Sequence, residues 1–471
     1  MAGFYDRIEA SQQLYQIMKL HFHGAAGIVT GSNYLLETAK NKVLIDCGLF
    51  QGLSEMEKKN LEPFPYNPKS IDFVFITHAH LDHIGRLPKL ARDGFGGRIF
   101  ATRPTIDFAR LMLEDSQKVF EKRANRAEDM ASLDGEQIEK LMAMFQPAEY
   151  DKLVKVNGEI SVYFREAGHV LGSASVELNI EGKKIVFSGD LGSTKTSLLR
   201  DPAKIEEADY VVMESTYGDR FHESNQQCKN AIENIAEETA TKKGVLMIPS
   251  FSLERTQQLL YHFNELVENN CIPRLPIFID SPLAIRLTGI YSRYPEYYNN
   301  EAKLLLKSGD DIFKFPGLKL TLTTKESKAI NDVFPPKIII AGSGMSQGGR
   351  IIHHEARYLS EPENTLLIVA YQAKGTLGRE ILDGADSVKI MGETVPVRAK
   401  VERVDCYSSH GDQKDLLWWL SNIVQSGADR KIKKVFICHG EEDSSLALSQ
   451  KIKNDFGLKT EAPHLGDVAE L

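Results

Sequence analysis

The stretch from Thr77 to His83 most constrains what this chain can fold into, because three imidazoles and a carboxylate lie within six residues. The preceding residues 71–76 are apolar and β-branched, which predicts a buried strand, and residues 84–91 are typical of a starting helix. The ligand-type residues therefore follow the carboxyl end of a strand, where α/β proteins usually place their chemistry. Imidazole and carboxylate ligands suit zinc, and so dense a cluster indicates two ions. A loop that is merely rich in histidine is a poor alternative, because such groups beside a buried strand need partners.

The length and charge of the chain limit its class. A chain of 471 residues indicates two domains. No apolar run approaches the roughly 18 residues of a membrane helix, so we expect no membrane partner. The net charge of −8 is unusual for a protein that coats nucleic acid, so nucleic-acid binding would need a local basic groove or the metal ions. The five scattered cysteines, without a CxxC pair, indicate a reducing cytoplasm and argue against a disulfide framework.

Several features precede the histidine cluster. Residues 1–17 have helical spacing and lead into what resembles a natural first strand at residues 18–24. His21 and His23 alternate on this strand, and we expect structural roles for both. Asp46 follows a strand predicted at residues 42–45. An acid at that place often accepts a hydrogen bond from a metal-bound histidine, and we prefer this role to direct ligation.

Two later residues complete a pattern of ligand types at strand ends. His169 lies between predicted strands and beside glycines, where the backbone can approach an ion. Asp190 follows the strand predicted at residues 184–187, on a loop well placed for a carboxylate that bridges two metals. Alone, either residue could be unremarkable, but the cluster upstream and the shared placement favour a joint site.

Taken in order, Asp46, the HxHxDH run, His169 and Asp190 resemble the four motifs of the metallo-β-lactamase fold. This resemblance implies an αββα sandwich of two sheets with a dinuclear metal site at their edge. By motif position, one zinc would bind His78, His80 and His169, the other would bind Asp82 and His83, and Asp190 would bridge the two.

The second half of the chain repeats strands and helices between about residues 219 and 405. Such alternation predicts a parallel α/β domain inserted into the first. We therefore expect three segments, with the metallo-β-lactamase domain formed by residues 1–218 and 406–471 and the inserted domain by residues 219–405.

Glu214-Ser-Thr-Tyr-Gly, Ser-His410-Gly-Asp and His439-Gly-Glu resemble motifs A, B and C of the β-CASP nucleases. That family includes the cleavage subunit of the pre-mRNA 3′-end machinery, ribonuclease J and short bacterial and archaeal relatives. A histidine in the third motif is typical of members that act on RNA. The resemblance therefore implies a zinc-dependent ribonuclease that cuts single-stranded RNA as an endonuclease, a 5′-3′ exonuclease or both, in RNA processing or decay. His439 would complete the second metal's ligands.

The chemistry of phosphodiester hydrolysis assigns further roles. Two zinc ions can activate water and clamp the phosphate. A histidine that is not a ligand can protonate the leaving oxygen, and His410 is the candidate, with Glu214 holding its tautomer and raising its pKa. The alternative is that His410 is another ligand. With Asp46 and Asp82, these two residues form the predicted catalytic set.

Two Ser- and Gly-containing loops of the inserted domain lie between a strand and a helix, where anions bind well. The first contains Ser250 and Ser252 and leads to Arg255; the second contains Ser343, Gly344 and Met345. We expect these six residues to bind substrate, although tight packing turns are the competing interpretation.

Other functions remain in competition with a ribonuclease. A DNA nuclease or a small-molecule hydrolase could use the same dinuclear site, but His439 and the inserted domain argue against both. A non-catalytic RNA-binding subunit would usually have lost metal ligands, and all are present here. The sequence leaves RNA specificity and the existence of a homodimer open.

Overall fold

The computed structural model describes residues 17–52, 54–123, 135–194, 196–223, 225–405, 407–426 and 430–471. The helix predicted for residues 1–17 therefore lies outside the described residues except for Ile17. In the described part of the chain, no helix is long and apolar enough to cross a membrane. Among the described cysteines, Cys47, Cys271 and Cys438 are free, whereas Cys228 is disulfide-bonded, which departs from the expectation of a fully reduced chain.

The first part of the chain alternates short helices with strands that enter two sheets. Its strands are β1 Lys19–Phe22, β2 Tyr34–Glu37, β3 Lys42–Ile45, β4 Phe73–Phe75, β5 Arg98–Thr102, β6 Phe145–Ala148, β7 Val154–Lys155, β8 Ile160–Glu166, β9 Ala174–Ile180, β10 Lys183–Phe187 and β11 Tyr210–Glu214. Its helices are α1 Ser54–Lys58, α2 Leu81–Ile84, α3 Leu87–Arg92, α4 Arg103–Arg123 and α5 Gly135–Ala143.

The middle of the chain supplies a third sheet. Its helices are α6 Asn225–Lys242, α7 Arg255–Glu268, α8 Pro282–Tyr291, α9 Asn300–Lys307, α10 Thr324–Ala329, α11 Ile351–Tyr358 and α12 Leu377–Leu382. Its strands are β12 Val245–Pro249, β13 Ile277–Asp280, β14 Leu318–Leu320, β15 Lys337–Ala341, β16 Thr365–Ile368, β17 Ser387–Ile390, β18 Glu393–Pro396 and β19 Lys400–Arg403. The last part consists of α13 Gln413–Gln425, β20 Lys434–Cys438, α14 Glu442–Phe456, β21 Thr460–Glu461 and β22 Val468–Glu470.

Two sheets form the sandwich expected from the sequence. Within the described residues, one has the strand order β22-β1-β2-β3-β4-β5-β6 and the other β21-β20-β11-β10-β9-β8-β7. Apolar side chains of both sheets, such as Phe22, Phe164 and Phe436, share one core between them. Residues of α3, α4 and α5 cover the outer face of the first sheet, and α13 and α14 cover the second, with Trp419 buried there. The αββα architecture is therefore confirmed.

The third sheet has the order β14-β13-β15-β12-β16-β19 in the described residues, and every pairing within it is parallel. Separate apolar cores cover its two faces, as parallel strands require. This sheet lies in sequence between β11 and β20, which pair with each other in the sandwich. The inserted parallel α/β unit is therefore confirmed, while its boundaries at residues 219 and 405 stay predictions.

The bounds of two helices differ from what the sequence pattern indicates. The helix expected from Ile84 instead begins at Leu81, pauses at Gly85 and Arg86, and resumes at Leu87. The helix starts at Leu81, three residues earlier than expected, with the extended residue His80 as its N-cap. Residues 135–145 have a helical sequence pattern, but the helix ends at Ala143, and Phe145 starts β6, whose pairing with β5 overrides that pattern.

The carboxyl ends of five strands meet at one edge of the sandwich. Strands β3 and β4 are parallel neighbours in one sheet, and β10, β11 and β20 are parallel neighbours in the other. Residues that follow parallel strands emerge on the same side. This topology collects the loops after residues 45, 75, 187 and 438 and the end of β11 into one place.

Candidate metal centre

Asp46 holds two residues of the histidine cluster, Thr77 and His83, in place by hydrogen bonds. Its backbone has a positive φ of 58° directly after β3, and its side chain is buried. The carboxylate accepts hydrogen bonds from the Thr77 N–H and the Thr77 hydroxyl, both at 2.8 Å, and from His83 Nδ1 at 2.7 Å. His83 therefore carries its proton on Nδ1 and turns Nε2 toward the centre of the site. The sequence analysis assigns no role to Thr77. The only indication of its role is its position directly before His78.

The first group of potential ligand atoms comes from His78, His80, His169 and Asp190. His80 Nδ1 lies 3.1 Å from His78 Nε2 and 3.1 Å from His169 Nε2. Asp190 Oδ2 lies 3.4 Å from His78 Nε2 and 3.6 Å from His169 Nε2. His169 Nδ1 donates to the Ser409 carbonyl at 3.0 Å, which leaves the lone pair of Nε2 facing its neighbours.

The second group consists of Asp82, His83 and His439. His83 Nε2 lies 3.2 Å from His439 Nε2, and His439 Nε2 lies 3.4 Å from Asp82 Oδ2. His439 follows β20 with a positive φ of 46°, and its Nδ1 lies 3.2 Å from the Thr216 hydroxyl. Thr216 was not predicted either, although it belongs to the segment that begins at Glu214.

Asp190 lies between the two groups. Its Oδ2 is 3.3 Å from His83 Nε2 and 3.4 Å from His78 Nε2, so one oxygen faces both sets. Its Oδ1 is buried and has no hydrogen-bond partner. The neighbouring His439, His83 and His78 hold the pKa of Asp190 well below its usual range, although burial alone would raise it.

These side chains fit bound cations. Burial lowers the pKa of His78 and of His169 well below the ordinary value, and lowers that of His80 to about 4, so all three rings are neutral, the form that binds a metal ion. Three neutral imidazoles and a carboxylate are a donor set that suits zinc. Burial also lowers the pKa of His83, but Asp190, Asp46 and Asp82 more than offset it and raise the value well above normal, so a positive charge is favoured there.

Close backbone approaches hold the metal-ligand loops together. A Cβ on Gly48 would lie 1.5 Å from the carbonyl oxygen of Asp82, and one on Gly192 would lie 1.9 Å from that of Gly168. Only glycine fits at these two points. The loop after Asp46 thus packs on the HxHxDH segment, and the loop after Asp190 packs on the segment that bears His169.

His410 and Glu214 form an imidazole–carboxylate pair beside Asp190. His410 Nδ1 lies 3.0 and 3.2 Å from the two carboxylate oxygens of Glu214, whose Oε1 also accepts from the Leu191 N–H at 2.6 Å. Burial lowers the pKa of His410, but Glu214 and Asp190 outweigh it and raise the value to about 9. The side chain is 21 % exposed, which leaves the ring accessible from the cleft.

The competing ligand role of His410 has a geometric basis, since its Nδ1 lies 4.0 Å from Asp190 Oδ2 and it forms a third group with Asp190 and His439. The same Nδ1 is closer to Glu214, at 3.0 Å. The hydrogen bond to Glu214 therefore favours a proton on His410 Nδ1. A metal ion beside Asp190 would need the lone pair of that same nitrogen, so the hydrogen bond argues against the ligand role.

The two predicted substrate loops meet at the carboxyl ends of the neighbouring strands β12 and β15. Ser250 is buried and hydrogen-bonds Thr256 through its hydroxyl at 3.0 Å, so it has a packing role in this structure. Ser252 is half-buried, and its Oγ lies 3.3 Å from Ser281 Oγ. The ring of Phe251 contacts the second loop, because a Cβ on Gly344 would lie 2.7 Å from it.

The second loop is held by the backbone and by one amide. The Ser343 hydroxyl accepts from the Gln347 N–H at 3.1 Å. The Gly344 carbonyl accepts from Gln372 Nε2 at 2.9 Å. Met345 is half-buried beside them. The two loops are thus adjacent to each other at the carboxyl edge of this sheet.

Arg255 begins α7 and lies in a small pocket between the domains. It is 7 % exposed, and its Nε and Nη1 have no hydrogen-bond partner among the residues that the structure describes. Burial lowers its pKa to about 10. The pocket encloses about 60 Å³, and Tyr217, Arg220, Tyr371 and Arg403 contribute to its lining. The sequence reasoning missed these four residues, although Tyr371 and Arg403 are recognisable as residues at or just after the ends of parallel strands.

An αββα sandwich with buried His and Asp groups at the carboxyl ends of its strands defines a metal-dependent hydrolase of the metallo-β-lactamase fold. Family profiles agree: the metallo-β-lactamase superfamily matches residues 26–99, the β-CASP domain matches residues 256–381, and the Zn-dependent metallo-hydrolase RNA specificity domain matches residues 394–463.

The chain belongs to the β-CASP family of metallo-β-lactamase-fold proteins. It is 40 % identical to Ribonuclease TTHA0252 of Thermus thermophilus, over 92 % of this chain and 95 % of that protein. It is 31 % identical to an RNase J-like protein of Methanocaldococcus jannaschii, over 95 % and 99 %, and 30 % identical to Transcription termination factor FttA of Methanosarcina mazei, over 93 % and 69 %. A crystal structure of a protein of unknown function from Enterococcus faecalis shares the fold, with a TM-score of 0.54 and 13 % identity over 97 % of this chain and 100 % of that one.

Replacing Asp190 tests the joint site. Because Oδ2 faces both ligand groups, Asp190→Ala should reduce the bound divalent metal to less than half of the parental content. Metal analysis after equilibration with zinc measures the effect. The exposed Asp386→Ala variant is the control and should keep the parental content. Full occupancy in Asp190→Ala would contradict the bridging position.

Proposed function

We propose that this protein is a zinc-dependent ribonuclease that hydrolyses phosphodiester bonds of single-stranded RNA. The observation that carries the proposal is the pair of ligand groups that Asp190 Oδ2 faces from between them, with His410 held beside them by Glu214. The names of two relatives, a ribonuclease and an RNase J-like protein, support RNA as the substrate, as does the RNA specificity profile over residues 394–463. Cytoplasmic location and homodimerisation stay predictions.

The proposed metal ligands follow the two groups. One zinc would be held by His78, His80 and His169, the other by Asp82, His83 and His439, and both by Asp190; these assignments are supported by ligand atoms that lie within 4.8 Å of one another in each group. Zinc ions bound there would supply Lewis-acid chemistry, which activates water and neutralises phosphodiester charge.

The protein's own groups would control the proton and the alignment. His410 would donate a proton from Nε2 to the leaving oxygen, because Nδ1 is engaged by Glu214. Glu214 would hold the ring in place and favour its charged form. Asp46 would act through His83, whose Nδ1–H it accepts, so we assign it a positioning role.

The RNA path is proposed to follow the cleft between the sandwich and the inserted domain. Arg255 supports this path, because a buried guanidinium with two unpaired donors suits a phosphate. Ser252 and the loop at Ser343 to Met345 lie nearby and offer hydroxyl and backbone donors. Ser250 is withdrawn from this role, because its hydroxyl bonds Thr256.

The competing functions are less well supported. A small-molecule hydrolase would gain nothing from a cleft with three arginines in its pocket. A non-catalytic subunit would not need the complete set of ligand atoms. A DNA nuclease differs only in substrate, and the relatives' names favour RNA.

The direct test uses end-labelled single-stranded RNA, single-stranded DNA of the same sequence and a β-lactam, each with and without a chelator. The zinc-loaded protein should cut RNA much faster than the other two, and the chelator should abolish cutting. Product ladders from 5′- and 3′-labelled RNA separate endonuclease from 5′ exonuclease action. Preferred cleavage of DNA or the β-lactam, or RNA cleavage that survives complete zinc removal, would refute the proposal.

His410 and His439 should have separable roles. His410→Ala should keep its zinc and lose about 10²- to 10⁴-fold in the rate of RNA cleavage, the usual loss for a general acid. On a nitrophenyl phosphodiester, whose leaving group needs no proton, the loss should be much smaller. His439→Ala should instead lose zinc from the second group, because its Nε2 faces His83 and Asp82.

The pH profile gives an independent check of the same role. A general acid acts while protonated, so the parental rate should fall above about pH 9, the value to which the pKa of His410 is raised. His410→Ala should lack this descending limb. Zinc loss from His410→Ala, or equal impairment on both substrates, would identify His410 as a ligand or a structural residue.

Arg255 should matter for RNA and not for metal. Arg255→Ala should weaken RNA binding roughly 10- to 100-fold, the worth of a charged hydrogen bond or two, with zinc content unchanged. Binding of a fluorescent RNA to the chelated protein measures this effect without turnover. Arg357→Ala, at an exposed arginine of the same domain, is the matched control. Equal affinity in parent and Arg255→Ala would place the RNA elsewhere.

A further inference from the structure

A second, larger groove borders the metal-ligand loop. It encloses about 460 Å³, and both domains contribute to it: Leu81 from the ligand loop, Phe50 from the loop after β3, Met112 and Val119 from α4, and Leu283 from α8. Cavities of roughly 300–1,000 Å³ commonly hold small organic groups. Neither the ligand groups nor the predicted substrate loops use this groove.

Both walls of the groove adjoin, along the chain, segments that line the cleft proposed for RNA. Leu81 is flanked in sequence by His80 and Asp82, one from each ligand group, so the groove begins directly beside the metal centre. On the other wall, Leu283 follows Ser281 by two residues, and Ser281 Oγ lies 3.3 Å from Ser252 Oγ in the first substrate loop. A strand lying across the metal centre would therefore pass the mouth of the groove.

The chemistry of the groove suits a base and not a phosphate. Leu81, Met112 and Leu283 are half-buried and present apolar surface, as a nucleobase ring requires. Glu57, Lys58 and Asp115 also line the groove, so its charged side chains are two acids and one base and carry no net positive charge for a phosphodiester. The arginine pocket at Arg255 has the opposite character, since it holds only about 60 Å³ and is rich in cations.

The walls are braced against each other before any ligand binds. Asp115 on α4 pairs with Arg286 on α8 at 3.8 Å, and Asp107 on α4 pairs with Arg293 just after α8 at 3.0 Å. Tyr294 also donates to Asp107 at 2.8 Å. A preformed groove costs a ligand little reorganisation.

We infer that this groove is a nucleobase subsite, which receives an unpaired base of the RNA next to the scissile phosphate on the side of Leu81. The inference rests on the proposed ribonuclease function and adds a specificity element to it. Arg255 anchors a phosphate on one side of the metal centre, and the apolar groove anchors a base on the other. Paired bases cannot enter the groove, so the subsite selects single-stranded RNA.

Filling the groove tests the inference. Met112→Trp and Leu283→Trp should each raise the KM for a short single-stranded RNA about tenfold, the loss expected for one base contact, with zinc content and melting temperature unchanged. Leu304→Trp is the matched control, because Leu304 is 64 % exposed on α9 and outside the groove. RNA that carries 4-thiouridine at single positions should crosslink to a peptide containing Met112 or Leu283 from one position beside the cut.

The outcomes separate the two proposals. A parent protein that fails to cut any RNA refutes the ribonuclease and with it the subsite. A parent that cuts RNA, together with groove variants of parental KM and no crosslink to α4 or α8, refutes the subsite alone. A protein segment or an apolar small molecule as the natural occupant would give this second result.

Discussion

The carboxylate of Asp190 lies where two sets of imidazoles converge, and the arrangement of the whole edge depends on that convergence. Ring nitrogens of His78 and of His169 each lie 3.1 Å from His80 Nδ1 there, a convergence that suits a shared cation. The fold fixes three of the site's rings from outside. Asp46 holds His83, the Ser409 carbonyl holds His169, and the Thr216 hydroxyl contacts His439. The apolar cores of the sandwich keep these second contacts rigid.

The inserted domain contributes one side of the proposed cleft at the same edge of the sandwich. Ser197, in the loop after Asp190, hydrogen-bonds His262 Nε2 at 2.7 Å, and His262 Nδ1 bonds the hydroxyl of Tyr407. His262 lies on α7, the helix that begins with Arg255, and burial lowers its pKa to about 4, so it stays neutral at physiological pH. These hydrogen bonds join α7, the loop after Asp190 and the segment that leads to His410.

The strand-end placement of the ligands could be predicted because it needs only local information. A buried β-branched run followed by an acid or a histidine marks the carboxyl end of a strand, and parallel neighbours gather such ends together. The direction of a side chain inside a turn depends on tertiary packing and cannot be deduced from the local pattern. Ser250 lies in a loop after a strand, as expected, but its hydroxyl bonds Thr256. Tyr371 and Arg403 were missed because their strands, β16 and β19, adjoin only in the folded sheet. The local pattern around Phe145 is helical, but this residue lies in β6 because strand pairing with β5 overrides that pattern.

The inserted domain divides the ligand set along the chain. All candidate ligands from His78 to Asp190 precede the domain, whereas His410 and His439 follow it, and β20 must insert beside β11 to bring His439 into place. During synthesis at about 5–20 residues per second, the interval between Asp190 and His439 lasts on the order of tens of seconds. For most of that time the nascent chain also lacks His410, and until the end of it the second ligand group is incomplete. The order of segments therefore means that the ligand set becomes complete only after the whole inserted domain has been synthesised.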